Sequence, residues 1–297
     1  MDGIIIIDKP EGWTSHDVVA KLRGALQQKR IGHGGTLDPM ATGVLPLFVG
    51  RATRAAEYCE NADKEYIAGL KLGIVTDTQD ATGKTIGEYE VKATMEDLLR
   101  TLPRFLGKQN QIPPMYSAIK ISGKKLYELA RKGIEIDRPA REVYISDIEL
   151  LDSEAVGSKL EAHEYLLRIS CSKGTYVRTL CHDIGTILGC GGIMSSLRRV
   201  KAGAFTISMG HSLNEVLSAT ASGEIGNLCL PIDTLFMEYP CVKLGDEQMR
   251  KCKNGAPFVV ENIIDGTYRF YGPANEFLML GRLAKGIGKT IKSFYSN

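Results

Sequence analysis

The chain has 297 residues, 43% of them apolar and 24% charged, with a formal net charge of +2. That length allows a substantial buried core and suggests one large domain with a smaller companion, and the balance of residues is that of an ordinary soluble globular protein. No apolar run approaches the roughly 20 residues of a membrane span, so membrane insertion is not expected.

In chain order, residues 4–7 are four isoleucines that read as a buried strand. The run is too short for a signal-peptide core and follows Asp2 instead of a basic flank, which points to a cytoplasmic protein. Thr14 or Ser15 then caps a helix to about residue 28, with Val18, Val19, Leu22 and Leu26 on one face. Residues 44–49 begin another apolar element, residues 66–72 alternate as a strand, and residues 73–87 read as loop. Thr94-Met95-Glu96-Asp97 has the form of a capping box opening a helix that ends before Pro103. Residues 126–132 predict a short helix closed by Gly133. Residues 141–151 and 164–172 predict strands joined by a turn containing Gly and Ser, and residues 175–188 predict a helix ending at Gly189. Strands and helices alternate irregularly with no repeated strand–helix–strand unit, which predicts an α+β fold. Pro231 and Pro240 bracket a domain boundary, giving a main domain over 1–232 and a small β-rich module over 233–297 with turns at Asn254-Gly255, Asp265-Gly266 and Gly281.

The stretch with most chemical content is Arg30-Ile31-Gly32-His33-Gly34-Gly35-Thr36-Leu37-Asp38-Pro39-Met40-Ala41-Thr42-Gly43. Gly34 and Gly35 permit close backbone approach or positive φ. Pro39 stiffens the chain after Asp38 and biases Asp38 to an extended conformation. One carboxylate on a short rigid loop is a way of presenting a catalytic group, although such a loop in isolation also fits a tight turn capped by its Asp.

This loop resembles the central motif of the TruB family, the tRNA pseudouridine-55 synthases. Four further segments match that family in the same order. They are Gly3 to Ser15 with Lys9-Pro10, Asp63-Lys64-Glu65-Tyr66 with Leu72 to Asp80, Gln111 to Lys120 followed by Gly123 to Tyr127, and Cys171-Ser172-Lys173-Gly174-Thr175-Tyr176-Val177-Arg178 leading to Leu197-Arg198-Arg199. The resemblance implies a pseudouridine synthase fold with a mixed, largely antiparallel central sheet flanked by helices, and a PUA-like RNA-binding C-terminal module. It implies tRNA, through its T-arm, as the partner. The reaction breaks the C1′–N1 bond of a uridine, turns the uracil and rejoins it through C5. That change is redox-neutral and calls for no cofactor. Asp38 is the catalytic carboxylate, as nucleophile at C1′ or as base toward the ribose, and either route needs it ionised. Arg178 is the guanidinium expected to hold it so, and Tyr66 stacks on the uracil and accepts the C5 proton. Tyr176 and Leu197 line the uracil pocket, Lys9 supports the site from the first strand, and His33 fills the space left by the extruded nucleotide. Basic residues at Lys124-Lys125 and Arg198-Arg199 are expected to contact phosphates.

Two other readings stand beside this one, a tRNA-binding folding factor without catalysis and a pseudouridine synthase acting on another RNA. Gly83-Lys84-Thr85 and Gly288-Lys289-Thr290 echo a P-loop, but Thr78 and Leu283 stand where its first glycine belongs. The seven cysteines include no C-x-x-C, and Cys171, Cys181 and Cys190 sit among apolar residues as free buried thiols. The five histidines lack ligand spacing, so no metal is implied. No heptad or apolar stripe suggests obligate assembly, and a monomer without an obligate protein partner is expected.

Overall fold

The structure is a computed structural model describing residues 1–117, 119–121, 123–152 and 159–295, apart from the side chains of Lys120, Lys124 and Lys125. The chain divides into two compact units. Met1–Asp38, Gly43–Glu60 and Ala202–Asn297 form the first, and Pro39–Thr42 with Asn61–Lys201 form the second.

The first unit begins with β1 (Gly3–Lys9), whose Ile4 to Ile7 are at most 1% exposed. A run that is apolar at every position suits a strand covered on both faces, and each buried isoleucine contributes on the order of 2 kcal/mol. Helix α1 (Ser15–Ala25) opens with a capping box: the Thr14 hydroxyl accepts from Asp17 N–H while the Asp17 carboxylate accepts from Thr14 N–H. It ends before Gln27, which adopts φ 49°, so the helix is shorter than the sequence pattern suggests. Strands β2 (Ile31–His33) and β3 (Thr42–Val49) follow, then α2 (Ala56–Asn61). β3 pairs antiparallel with β1, from Gly3↔Val49 to Lys9↔Gly43, and antiparallel with β2, from Ile31↔Val49 to His33↔Leu47. Residues 34–41 are therefore the loop of a β2–β3 hairpin, framed by the strand that carries Lys9.

The second unit runs β4 (Lys64–Leu72), β5 (Ile74–Thr76), β6 (Thr85–Glu88), α3 (Met95–Thr101), β7 (Gly107–Gln111), β8 (Lys120–Ile121), β9 (Lys124–Lys125) and α4 (Leu126–Ala130). It closes with β10 (Arg141–Leu151), β11 (Glu164–Cys171), α5 (Val177–Ile187) and β12 (Gly192–Ala202). Its main sheet has the order β12-β4-β11-β10-β7, antiparallel from β4 to β7. Helices α3 and α5 contribute Leu98, Val177, Leu180, Cys181 and Ile184 to one apolar cluster with Ala68, Leu70, Ile145, Leu167 and Ile169 of the sheet. The α3 capping box is present on Thr94 and Asp97. Residues 73–87, read from sequence as loop, instead form a β5–β6 hairpin, because two strands of three and four residues are too short to show alternation. The predicted Gly- and Ser-containing turn between β10 and β11 falls at 153–158, outside the described residues.

The chain then returns to the first unit with β13 (Phe205–Thr206), β14 (His211–Ser212) and α6 (Leu213–Ala221). β14 pairs parallel with β1. Between Pro231 and Pro240 the chain makes a 3-10 turn whose Phe236 is buried, edge-on to Tyr58 at 5.1 Å between centroids. The C-terminal module comprises β15 (Cys241–Lys243), α7 (Asp246–Lys253), β16 (Phe258–Val259), β17 (Gly266–Tyr271), β18 (Phe277–Ala284) and β19 (Ile287–Ser293). Its sheet has the order β15-β17-β18-β19-β16. It has its own core around Phe258, Phe270 and Leu278, while Leu280 and Phe294 join Ile4, Ile6 and Phe48 in a second cluster. The fold is thus α+β, with a largely antiparallel sheet and a small β-rich C-terminal module of PUA-like type. Among the described residues no helix is long and apolar enough to cross a membrane.

Candidate active site

The candidate residues fall into two groups, Lys9, His33 and Asp38 in the first unit, and Tyr66, Tyr176, Arg178 and Leu197 in the second. In the first unit the hairpin loop is held at its start. Gly34 N–H donates to the Pro46 carbonyl at 2.9 Å, and a Cβ on Gly34 would stand 2.7 Å from Cys59 Sγ and 2.8 Å from Phe48 Cε2. Gly34 is there because no side chain fits against those two groups. Gly35 has φ 121°, a conformation that other residues rarely adopt.

Asp38 is half-buried on this loop, and the residue before it is clamped. The Ser15 hydroxyl, 1% exposed at the start of α1, accepts from Leu37 N–H at 2.8 Å and donates to the Leu37 carbonyl at 3.2 Å. With both peptide groups of Leu37 bound, its side chain buried and Pro39 following, little backbone freedom is left at Asp38. Sequence reading found Ser15 only as a possible cap; its contact with Leu37 spans 22 residues and has no local signature. His33 closes β2, and its Nδ1 accepts from Gly35 N–H at 3.4 Å. Lys9 is fully buried, its ammonium donating to the carbonyls of Pro10 at 2.9 Å and Trp13 at 2.5 Å. These bonds fold the Pro10–Trp13 turn back on the end of β1, as a buried cation requires.

In the second unit Tyr66 and Leu197 both border the apolar cluster that includes Val177, the neighbour of Tyr176 and Arg178. Tyr66 sits on β4 opposite Ile169 of β11. Tyr176 is the extended N-cap of α5, and its N–H and carbonyl are both bonded to the Gln111 side chain. Arg178 is 6% exposed, not a surface arginine, and its Nη1 lies 3.2 Å from Asp80 Oδ2. The other Asp80 oxygen accepts from Thr78 Oγ1 at 2.8 Å, Thr82 N–H at 3.0 Å and Thr82 Oγ1 at 2.6 Å. The neighbouring Gln79 Oε1 accepts from Thr179 Oγ1 at 2.8 Å. The Thr76–Gly83 turn is thereby a built receptor for the first turn of α5. Asp80 lay within the quoted family segment but was not singled out, since sequence spacing gives no sign that it faces residue 178.

The expected phosphate contacts divide. Arg198 is half-buried and donates to Thr42 Oγ1 at 3.3 Å. Arg199 is 1% exposed, so its charge is inside the protein and not on an RNA-facing surface. The side chains of Lys124 and Lys125 lie outside the described residues. Cys171, Cys181 and Cys190 are free and buried, and burial pushes the Cys171 thiol up to about 11 and Cys181 up to about 12. Such thiols remain protonated and unreactive at neutral pH.

Comparison with known proteins gives the same assignment along the whole chain. Residues 23–177 match the family model of the TruB family pseudouridylate synthase N-terminal domain, and 178–237 match that of the tRNA pseudouridylate synthase B C-terminal domain. The tRNA pseudouridine synthase B of Clostridium kluyveri is 42% identical over 299 residues, 99% of this chain and 100% of that protein. That of Geobacillus thermodenitrificans is 42% identical over 94% of each chain. Among solved structures, a chain of a Cbf5-Nop10-Gar1 complex superposes with a TM-score of 0.73 at 26% identity, over 99% of this chain and 85% of that one. The chain therefore belongs to the TruB family of pseudouridylate synthases, which are RNA isomerases.

Proposed function

We propose that this enzyme converts uridine 55 in the T-loop of tRNA to pseudouridine, extruding the nucleotide before reaction. The observation that carries this reading is the near-full-length identity to proteins named tRNA pseudouridine synthase B, with Asp38, Tyr66 and Arg178 all present. Asp38 supplies the carboxylate that acts at the ribose, and the Ser15 clamp on Leu37 supports that role by limiting its backbone freedom. Arg178, oriented by Asp80, supplies the guanidinium that favours the ionised carboxylate. Tyr66 stacks on the uracil and takes the C5 proton. Tyr176 and Leu197 shape the pocket around the base, Lys9 supports the site and His33 occupies the space the nucleotide vacates. Recognition rests on the shape and phosphates of the T-arm.

The test is tritium release from [5-³H]uridine-labelled tRNA transcript, since the C5 hydrogen must leave when C5 becomes the glycosidic carbon. Wild type should release tritium and Asp38→Asn should not, while both bind tRNA. Replacing the T-loop uridine with cytidine should abolish release. Tight binding without release by the wild type would favour a tRNA-folding role instead, and release that survives the cytidine replacement would point to another uridine.

A further inference from the structure

We infer that Gln111 is a positioning residue for the reaction, acting through Tyr176. The inference rests on the functional reading above, in which Tyr176 lines the uracil pocket. Gln111 is the last residue of β7, 6% exposed, with its backbone in register with Arg141 of β10. Its side-chain Oε1 accepts from Tyr176 N–H at 2.7 Å and its Nε2 donates to the Tyr176 carbonyl at 3.0 Å. One planar amide thus holds both peptide groups of one residue, as a neighbouring strand would.

The need for this arises from the sequence of α5. Its N-cap is Tyr176, with φ −97° and ψ 104°, and no side chain caps the helix locally. A tyrosine has no short side-chain oxygen able to bond the first-turn N–H groups, unlike Ser, Thr, Asp or Asn. α1, α3 and α6 each begin with a local capping box, in which an acidic side chain reaches back to the N-cap N–H. In α5 Gln111 takes that part from another strand. The Tyr176 carbonyl also accepts the first intrahelical bond, from Leu180 N–H at 3.1 Å, so both its lone pairs are engaged.

Because the N–H and carbonyl flank φ and ψ of the same residue, bonding both to a rigid amide fixes both torsions and hence the Cα–Cβ direction. The aim of the Tyr176 ring is set at Gln111, and with it the origin of the helical turn that carries Arg178. The aromatic ring at the N-cap of α5 thus has its backbone held by a side chain remote in sequence.

The test uses the full chain and T-loop-containing tRNA transcript, with single-turnover tritium release under excess enzyme, tRNA Kd by filter binding, and thermal melting. Gln111→Met should lower the single-turnover rate roughly ten- to hundredfold, as expected when a reacting geometry is loosened, with Kd changed by less than about threefold. In a Tyr176→Leu background the same substitution should add less than about threefold, because residues acting as one unit are not additive. Gln111→Glu, which keeps an acceptor for Tyr176 N–H, provides a second variant should the Met variant fold poorly, and it should also slow the reaction. An unchanged single-turnover rate in a folded variant, or the same fold-loss with and without Tyr176, would overturn the inference. Failure of the wild type to release tritium would instead remove the functional reading beneath it.

Discussion

Replacing Asp80 by Asn removes the charge facing the Arg178 guanidinium while keeping nearly the same shape. The two side chains are 4% and 7% exposed and 3.2 Å apart, so solvent screens their attraction little. An Asn oxygen still accepts from Thr78 and Thr82, whose three bonds converge on one carboxylate oxygen. The amide NH₂ then faces Arg178, donor against donor. Breaking one partner of a buried ion pair costs about 3–5 kcal/mol. At ~2–4 °C per kcal/mol for a protein of this size class, that corresponds to a fall in melting temperature of about 6–20 °C. Tritium release should fall as well, since Arg178 loses the group that orients it. The clean measurement is a double-mutant cycle in thermal melting with Asp80→Asn, Arg178→Met and the pair. A shared interaction predicts that the double variant is more stable than the sum of the singles by at least ~1 kcal/mol. Additive losses, or an Asp80→Asn protein melting with the wild type, would refute the pairing argument.

Ser15→Ala deletes both bonds to the buried Leu37 peptide and should cost about 1–3 kcal/mol; denaturant melts give the stability, and a single-turnover rate equal to wild type would show that the clamp does not position Asp38. Gly34→Ala forces a methyl into the space of Phe48 and Cys59 and should destabilise by about 1–3 kcal/mol, visible as a lower urea midpoint. The carboxyls of Asp17, Asp97 and Glu215 are held below their ordinary values, Asp17 and Glu215 chiefly by side-chain bonds to Thr14 and Ser212, and Asp97 chiefly by the Thr94 backbone. For an acid with a lowered folded pKa the stabilisation is present above the unfolded value and lost as pH falls through the folded one. Melting between pH 5 and 3 should therefore lose less stability in Thr14→Ala, which removes the leading cause at Asp17, than in wild type, and equal losses would discount the cap.

Local features were legible in the sequence because the interacting groups are close along the chain. The cap of α1 and the capping box of α3 are local to the chain, and the burial of β1 is written in its four consecutive isoleucines. The analogous box on Ser212 and Glu215 was equally local but passed unread, as did strand β12 with its mixed polar and apolar residues. The motif residues Asp38, Tyr66, Tyr176 and Arg178 were found through family resemblance, and nothing in their own spacing relates them.

The sequence by itself determined the α+β class, the helix starts with local caps, the rigid setting of Asp38 and the family. Tertiary structure alone decided what holds these parts: that Ser15 grips Leu37, that Asp80 faces Arg178, and that Gln111 bonds both peptide groups of Tyr176. Each of these joins groups from different elements, through hydrogen bonds and ion pairs that leave no periodicity in the chain. Their partners are chosen by strand pairing and packing, and so become visible only when the backbone has brought the elements together.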